Sequence, residues 1–265
     1  MRPRTTVSAA RPRRAFGLFA LAIGLVVAAS ACSTKRVTID TDPDAPITVF
    51  AASSLTGAFG VMGTAYAAAY PDAKVEFSFG ASSELVAQIN QGAPADVLAS
   101  ADGESVGRLD PGTNGAPENF ATNRLQIIVA PGNPKGISRL ADLARADVVF
   151  VSAAPQVPIG RYTQQVLAAA GVTAAPKSLE ANVKGIVNKV VLGEADAGIV
   201  YVTEVLAAGS KALGVDIPGP VNVVATYPIA APATSKHPDA AARFVAFVRS
   251  PAGQAILARF GFGPP

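Results

Sequence analysis

The sequence predicts an α/β protein whose parallel sheets carry helices on both faces. Short apolar runs alternate along most of the chain with helical stretches of about ten residues, which is the pattern of strands joined by helices. The chain has 265 residues, of which 50% are hydrophobic and 15% are charged, so it is neither disordered nor a charged coiled coil. This length suits one large domain or two small ones.

The alternation begins after a polar, proline-bearing segment. The first part of the chain predicts strands at residues 47–51, 74–79 and 96–100, and helices at residues 55–69 and 83–91. Pro71 ends the first helix, because proline cannot continue it. Val75, Phe77 and Phe79 fall on one face of the second strand, as a period of two requires.

The same alternation continues to the end of the chain. It predicts strands at residues 125–130, 148–152, 177–180, 198–201 and 221–226, and helices at residues 138–145, 161–170, 183–192, 203–208, 239–249 and 251–260. A turn at residues 131–136 and a loop at residues 216–220 interrupt the pattern. Ligands of open α/β sheets bind at the carboxyl ends of strands, so we expect a site at the strand-to-helix junctions.

The first 31 residues have the composition of an export signal. Residues 1–14 hold five arginines and no acid, and residues 15–31 form an uncharged apolar run that ends in small residues. A membrane span needs about 20 residues, so this run is slightly short, although a retained anchor helix is the alternative. The chain has a net charge of +3, but without this segment the net charge is −2. Because no Lys/Arg-rich run remains, a nucleic-acid partner is excluded.

The composition excludes several kinds of site. One Cys and one His cannot build a Cys/His zinc site or a disulfide framework. The chain has no Gly-x-Ser-x-Gly elbow, no Ser-x-x-Lys pair and no Gly-x-x-x-x-Gly-Lys phosphate loop, and His237 stands beside a proline. We therefore expect a protein that is not an enzyme and that needs no cofactor.

Hydroxyl groups mark the junctions after the first two strands. Ser53-Ser54 follows the first strand and Ser82-Ser83 the second. A serine at a helix start is most often an N-cap, and that interpretation stays open for both pairs. A helix N-terminus also has free N–H groups and about half a positive charge, so it binds anions without Lys or Arg. Later junctions have matching features, namely Gly160 in a turn before a helix, Asn182 as a cap and Tyr201 at a strand end.

Six motifs resemble those of the extracytoplasmic molybdate-binding proteins of ABC importers. They are, in this order, Val-Phe-Ala-Ala-Ser-Ser-Leu-Thr, Ser-Phe-Gly-Ala-Ser-Ser-Glu-Leu, Gln-Gly-Ala-Pro-Ala-Asp-Val-Leu-Ala-Ser-Ala-Asp, Val-Pro-Ile-Gly-Arg-Tyr, Gly-Ile-Val-Tyr and the closing Phe-Val-Arg-Ser-Pro-Ala-Gly-Gln-Ala-Ile-Leu-Ala-Arg-Phe-Gly-Phe. The resemblance covers nearly all of residues 47–263. It implies a type II periplasmic-binding-protein fold, in which two doubly wound α/β lobes are joined by a two-segment hinge and enclose the oxyanion. Lobe one would hold residues 46–122 plus 223–265, and lobe two residues 123–222.

The resemblance also implies which groups bind the oxyanion. They are the hydroxyls of Ser54 and Ser82, backbone N–H groups near Ile159 and Val183, and the hydroxyl of Tyr201, with Ser53 and Ser83 as neighbours that could substitute for the two serines. None of the five positions is Asp or Glu, so the site would offer donors alone. Molybdate and tungstate are fully deprotonated and only accept, whereas a monoprotonated phosphate needs an acceptor for its proton. Sulfate also only accepts, so a binding protein for sulfate or another tetrahedral oxyanion stays the alternative.

Three charged residues stand close to these motifs. We expect Arg161 and Lys184 to be solvated charges on first helical turns rather than ligands. We expect Asp96 to be a structural hydrogen-bonding residue at the start of a strand.

For the whole protein, the resemblance implies a lipid-anchored receptor. Cys32 lies where lipoprotein-type signals carry an acylated cysteine, so residues 1–31 would be the signal and residues 32–45 a tether. The receptor would be a monomer on the extracytoplasmic face of the membrane, in the periplasm or the cell-wall space. It would deliver molybdate or tungstate to the permease and ATPase subunits of an ABC importer. The molybdenum would be held as an oxyanion, without direct cation ligands.

Overall fold

The computed structural model describes residues 39–265, which form a mixed α/β fold. The predicted export signal and the predicted lipid attachment point at Cys32 lie outside the described residues. Among the helices of residues 39–265, none has both the length and the apolar character that crossing a membrane requires.

Nine strands and eight α-helices make up residues 39–265. The strands are β1 (Ile47–Ala52), β2 (Val75–Gly80), β3 (Val97–Ala99), β4 (Thr113–Val129), β5 (Phe150–Ala153), β6 (Leu179–Glu180), β7 (Ala197–Tyr201), β8 (Leu213–Asp216) and β9 (Val224–Pro232). The helices are α1 (Thr56–Ala69), α2 (Ser82–Asn90), α3 (Gly103–Val106), α4 (Pro158–Ala169), α5 (Val183–Val191), α6 (Val202–Ala208), α7 (Pro238–Arg249) and α8 (Pro251–Arg259). Short 3₁₀ turns occupy Ser53–Leu55, Leu140–Ala144, Gly209–Lys211 and Gly219–Val221.

The strands form one sheet that divides into two halves at β4. Its order is β2-β1-β3-β9-β4-β7-β5-β6, with β8 also paired to β4. Residues 113–124 of β4 pair with β9, and residues 125–129 pair with β7. We call β1–β3, β9, the first part of β4 and helices α1–α3, α7 and α8 the first half. The second half is the rest of β4 with β5–β8 and α4–α6. The chain enters the second half along β4 and returns to the first half before β9.

The parallel strands of each half end at the same level. In the first half, Ala52 at the end of β1 pairs with Gly80 at the end of β2. In the second half, Ala153 at the end of β5 pairs with Glu180 at the end of β6. The residues that follow these four strands therefore start from two aligned edges, which is where ligands of α/β sheets bind.

The expectation of parallel sheets is correct for part of the structure. It holds for β1 with β2 and β3, and for β5 with β6 and β7. It is wrong for β4, β8 and β9, which pair antiparallel. For β4 and β9 the reason is that they carry the chain between the halves in opposite directions, so the two strands run antiparallel.

Some predicted element bounds are also wrong. The strand predicted from residue 125 begins at Thr113. The sequence did not predict its first part, because that part is largely polar and exposed and contains Gly115 and Pro117. The strand predicted at residues 221–226 begins at Val224 and continues to Pro232. Pro117 in β4 and Pro228 in β9 interrupt the local strand pattern, and pairing between these distant segments overrides that signal.

Three further differences concern short elements. The helix predicted at residues 138–145 is the 3₁₀ turn Leu140–Ala144. Strand β8 precedes the loop predicted at residues 216–220, where the sequence indicated no strand. Helix α4 begins at Pro158, three residues before the predicted start, because proline is favourable at the first helical position.

An aromatic cluster holds α1 against the sheet of the first half. The ring of Phe59 lies 6.0 Å from that of Phe77, 5.9 Å from that of Phe120 and 6.2 Å from that of Phe244, measured between centroids. Leu55, which ends the 3₁₀ turn before α1, is fully buried in the same core. This packing fixes the position of the turn that follows β1.

Candidate functional site

One small cavity lies at the carboxyl ends of strands from both halves. Its walls are formed by Ala52, Ser53, Ser54, Gly80, Ala81, Ser82, Ala101, Val157, Pro158, Ile159, Asn182, Val183 and Tyr201. All five residues that the resemblance implies are therefore brought together. The cavity is small, with a volume of about 10 Å³. No Asp, Glu, Lys or Arg is among these wall residues, so their polar groups are hydroxyls, one amide side chain and backbone.

Ser82 presents its hydroxyl proton without a competing acceptor among the described residues. It is the first residue of α2, and its Oγ accepts a hydrogen bond of 3.0 Å from the Ala101 N–H. The N-cap of α2 is Ala81, and no side chain caps the helix, so the interpretation of Ser82 as a cap is wrong. Because a hydroxyl has one proton and Ser82 accepts from an amide, that proton remains for a ligand.

Ser54 lies in the 3₁₀ turn after β1 and contacts strand β9 of the same half. Its Oγ is 3.0 Å from the Oη of Tyr227 on β9. No side chain caps this turn either, so the cap interpretation is wrong here as well. Of the two neighbours that could substitute for the predicted serines, Ser53 is part of the cavity wall and Ser83 is not.

Two helix N-termini of the second half add backbone donors. In α4 the first helical acceptor is used by the Arg161 N–H, which leaves the Ile159 and Gly160 N–H groups without one. In α5 the side chain of Asn182 accepts from the Gly185 N–H at 3.2 Å, which confirms the predicted cap. The N–H groups before it, at Val183 and the next residue, remain available.

Gly160 allows α4 to start close to the end of β5. A Cβ at this position would lie 2.1 Å from the Ala154 carbonyl oxygen and 2.7 Å from that of Ala153. Backbone oxygens cannot move away as a flexible side chain would, so a larger residue would displace the first turn of α4. The sequence predicted Gly160 in a turn before the helix, but in the structure Gly160 belongs to α4 itself.

Tyr201 is the most informative residue of the wall. It ends β7 and is fully buried, but its Oη has no hydrogen-bond partner among the described residues. Burial raises its pKa well above the ordinary value, so the phenol keeps its proton at neutral pH. A buried hydroxyl without a partner costs free energy unless a ligand or water satisfies it, so its place in the cavity wall makes Tyr201 a candidate contact.

Comparisons with known proteins agree with this geometry. Residues 47–263 match the family described as bacterial extracellular solute-binding protein. The chain belongs to this family. Its location is therefore extracytoplasmic.

The relatives within this family that resemble the chain include proteins named for binding molybdate or sulfate. The chain is 40% identical to the molybdate-binding protein ModA of Mycobacterium tuberculosis over 247 residues, covering 92% of this chain and 95% of that protein. Two solved structures share the fold. The periplasmic molybdate-binding protein of Azotobacter vinelandii has a TM-score of 0.70 and 23% identity over 83% of this chain and 99% of that one. The sulfate-binding protein SubI of M. tuberculosis has a TM-score of 0.72 and 22% identity over 83% and 86%. The predicted fold class, two α/β lobes of the type II periplasmic binding proteins, is confirmed.

Arg161 of this solute-binding protein joins the two halves. It forms an ion pair with Asp102, its Nε lies 3.0 Å from Glu104 Oε2, and its Nη2 donates to Ser105 Oγ at 3.2 Å. These partners belong to α3 and its N-cap in the first half, whereas Arg161 belongs to α4 in the second. The side chain of Arg161 is only 13% exposed, so the prediction of a solvated charge is wrong. The carboxylates of the opposite half enclose it instead.

Lys184 is also held by a carboxylate. Its Nζ lies 2.7 Å from Oε2 of Glu204, whose side chain is 1% exposed. Burial raises the pKa of Glu204, and the nearby ammonium group opposes that effect. Lys184 is partly exposed but paired, so the prediction of a solvated charge is only partly correct. Neither this lysine nor Arg161 is part of the cavity wall.

Asp96 is structural, as the sequence predicts. Its Oδ2 accepts from the Thr48 N–H at 2.9 Å, and its Oδ1 accepts from the Ser235 hydroxyl at 2.9 Å. The Nδ1 of His237 lies 3.2 Å from the same Oδ1. The single histidine of the chain is thus part of this contact and not of the cavity wall.

Sequence reasoning missed Tyr227 and Asp102. Tyr227 lies inside an apolar strand, where no local signal marks a polar role. Asp102 had a usable signal, since the spacing to Ser105 is that of an N-cap, and its carboxylate does accept from the Ser105 N–H at 3.0 Å.

Replacing Arg161 by Met tests the ion pair between the halves. The side chain of Asp102 is 6% exposed, so it would keep a buried charge without its partner. We expect the free energy of unfolding, measured with urea, to fall by about 3 kcal/mol. Adding Asp102→Asn removes that charge and keeps a cap for α3, so the double variant should regain part of the loss.

The matched control is Arg145→Met, which removes an exposed ion pair with Asp147. Exposed pairs contribute little, so its stability should hardly change. A loss for Arg161→Met no larger than for this control, or no recovery with Asp102→Asn, would contradict the assignment.

Proposed function

We propose that this protein captures molybdate, and also tungstate, outside the membrane and delivers it to the permease and ATPase subunits of an ABC importer. The observation that carries the proposal is a cavity lined by hydroxyl and backbone donors from both halves, among them the unpaired Tyr201 hydroxyl, and by no charged side chain. The 40% identity to ModA of M. tuberculosis supports molybdate as the anion. Binding and release require no chemical change, so the protein acts as a receptor and not as an enzyme.

The donors match the chemistry of a tetrahedral dianion. Molybdate oxygens only accept, and the cavity offers the protons of Ser82 and Tyr201, the amides at the starts of α4 and α5, and the hydroxyl of Ser54. Hydrogen bonds to a charged group contribute about 1.5–3 kcal/mol each. Several of them together can exceed the costs of immobilising the anion and closing the protein around it.

The same donors disfavour a protonated oxyanion. Monohydrogen phosphate carries a proton that needs an acceptor, and no carboxylate lines the cavity. Such an anion would leave its own proton without a partner in a buried site, which costs about 1–3 kcal/mol. Sulfate has no such proton, so only the size of the cavity separates it from molybdate.

The positions of the donors suggest how the anion is enclosed. Ser54 and Ser82 belong to the first half, whereas Ile159, Val183 and Tyr201 belong to the second. We assign residues 46–122 plus 223–265 to lobe one and residues 123–222 to lobe two. The two chain crossings, along β4 and before β9, form the hinge. The anion then draws the lobes together because it takes hydrogen bonds from both.

The proposal includes a lipid anchor at Cys32 and a tether at residues 32–45. The last part of that segment contacts the body, since the Asp40 N–H donates to the Lys236 carbonyl at 2.8 Å and Asp44 pairs with Arg243 at 2.7 Å. The receptor works as a monomer, because one chain supplies every donor. An unmodified Cys32 in mass spectra of the membrane fraction would refute the anchor.

Titration of the chain from Ser33 onward with molybdate, tungstate, sulfate and phosphate tests the ligand. Binding stabilises the native state by about 2.7 kcal/mol at a ligand concentration 100 times Kd. We therefore expect molybdate and tungstate to raise Tm by about 5 °C or more, with smaller shifts for the other two anions. Equal or larger shifts with sulfate would favour a sulfate-binding protein and refute the molybdate assignment.

Replacing Tyr201 by Phe tests the contact point directly. The variant removes one donor and leaves no protein group unsatisfied, because the Tyr201 Oη has no partner among residues 39–265. We expect molybdate affinity, measured by calorimetry, to fall by 10-fold or more, since about 1.4 kcal/mol corresponds to a factor of ten. Stability without ligand should stay the same or rise. The control is Tyr66→Phe, a buried tyrosine whose hydroxyl bonds to Arg243 outside the cavity. Unchanged affinity in Tyr201→Phe would contradict the role of this hydroxyl.

A further inference from the structure

We propose that Tyr227 is a positioning residue that directs the hydroxyl proton of Ser54 into the cavity. The inference rests on the proposed function, since it assigns Tyr227 a part in binding an anion that only accepts. Tyr227 is not part of the cavity wall, and it acts through the 3.0 Å contact between its Oη and the Ser54 Oγ.

Ser54 and Ser82 can each bind such a ligand only by donating to it. A serine hydroxyl has a single proton, and an acceptor-only ligand must receive that proton for a bond to form. The Ser82 hydroxyl keeps its proton for the ligand, because its neighbour in the protein, the Ala101 N–H, can only donate. At Ser54 the group behind is a phenol, which can either donate or accept. Ser54 is therefore a donor to the ligand only when Tyr227 donates to Ser54.

The surroundings of Tyr227 favour that direction. Burial raises the pKa of Tyr227, and the neighbouring Ser54 hydroxyl and Asn123 amide lower it less, so the phenol keeps its proton. The Asn123 carbonyl oxygen accepts from the Arg124 N–H at 3.0 Å, which turns the amide N–H groups toward their other neighbours. One of these donates to Thr203 Oγ1 at 2.9 Å. The Ser54 Oγ is the side-chain oxygen that lies within hydrogen-bond distance of the phenol, so we infer that the phenol donates its proton to Ser54.

Aromatic packing holds the phenol in place. The ring of Tyr227 meets those of Phe120, Tyr201 and Phe262 edge to face, with centroids 6.2, 5.9 and 5.3 Å away. Such pairs restrict the ring to one orientation, so the Oη stays where Ser54 can accept from it. The contact joins residues 173 positions apart in the chain. It orders a donor in advance and reduces the cost of ordering it on binding.

The test is a double-variant cycle measured by calorimetry with molybdate. Tyr227→Phe keeps the ring and removes the donor, and we expect it to weaken binding about tenfold. In a Ser54→Ala background the same change should alter affinity less than about twofold, because the hydroxyl it positions is gone. The control Tyr66→Phe should leave affinity unchanged. Multiplicative losses in the double variant would mean that Tyr227 acts only through general structure, which would overturn the inference.

A ligand-free measurement separates this inference from the proposed function. In the NMR spectrum of the protein without anion, the Tyr227 hydroxyl proton should move upfield in Ser54→Ala, because its acceptor is lost. An unchanged shift would show that Tyr227 does not donate to Ser54 and would overturn the inference even if molybdate binds. Failure of the wild-type protein to bind molybdate or tungstate, with the expected NMR shift present, would refute the proposed function while the hydrogen-bond direction stands.

Discussion

The cavity depends on donors whose protons are left free by the groups behind them. The first amides of α4 and α5 have no helical acceptor, Ser82 already accepts from a backbone N–H, and the Tyr201 hydroxyl has no partner in residues 39–265. These groups converge because the parallel strands of each half end at one level, so each following turn starts from the same edge. The position of the cavity therefore follows from the registers of the sheet.

Charge is kept away from the cavity by pairing. Arg161 and Lys184 stand one or two residues from the donor amides, yet each is bound to carboxylates and neither lines the wall. Under the proposed function, a fixed cation would attract any anion and hold it after the lobes open, whereas oriented dipoles would lose their alignment on the ligand as the two halves separate. The ion pairs of Arg161 also link the two halves, because its partners Asp102 and Glu104 lie in the opposite half.

Local sequence patterns predicted most of the architecture but only part of the site. The strands before the two serine pairs, the Asn182 cap and the structural role of Asp96 are visible because each depends on neighbours within a few residues. The partners of Arg161 and Ser54 depend on contacts 59 and 173 positions away, which no local pattern encodes. The antiparallel crossing of β4 and β9 was missed for the same reason. That the five residues bind the oxyanion stays a prediction.

The most direct test of the account is a crystal structure of the protein with molybdate. It should show the anion between the two halves, with its oxygens accepting from Ser82 Oγ, Tyr201 Oη and the first-turn amides of α4 and α5. Arg161 and Lys184 should remain bound to their carboxylates. An anion held by either of these cations, or one bound to a single half of the protein, would contradict recognition by neutral donors from both halves.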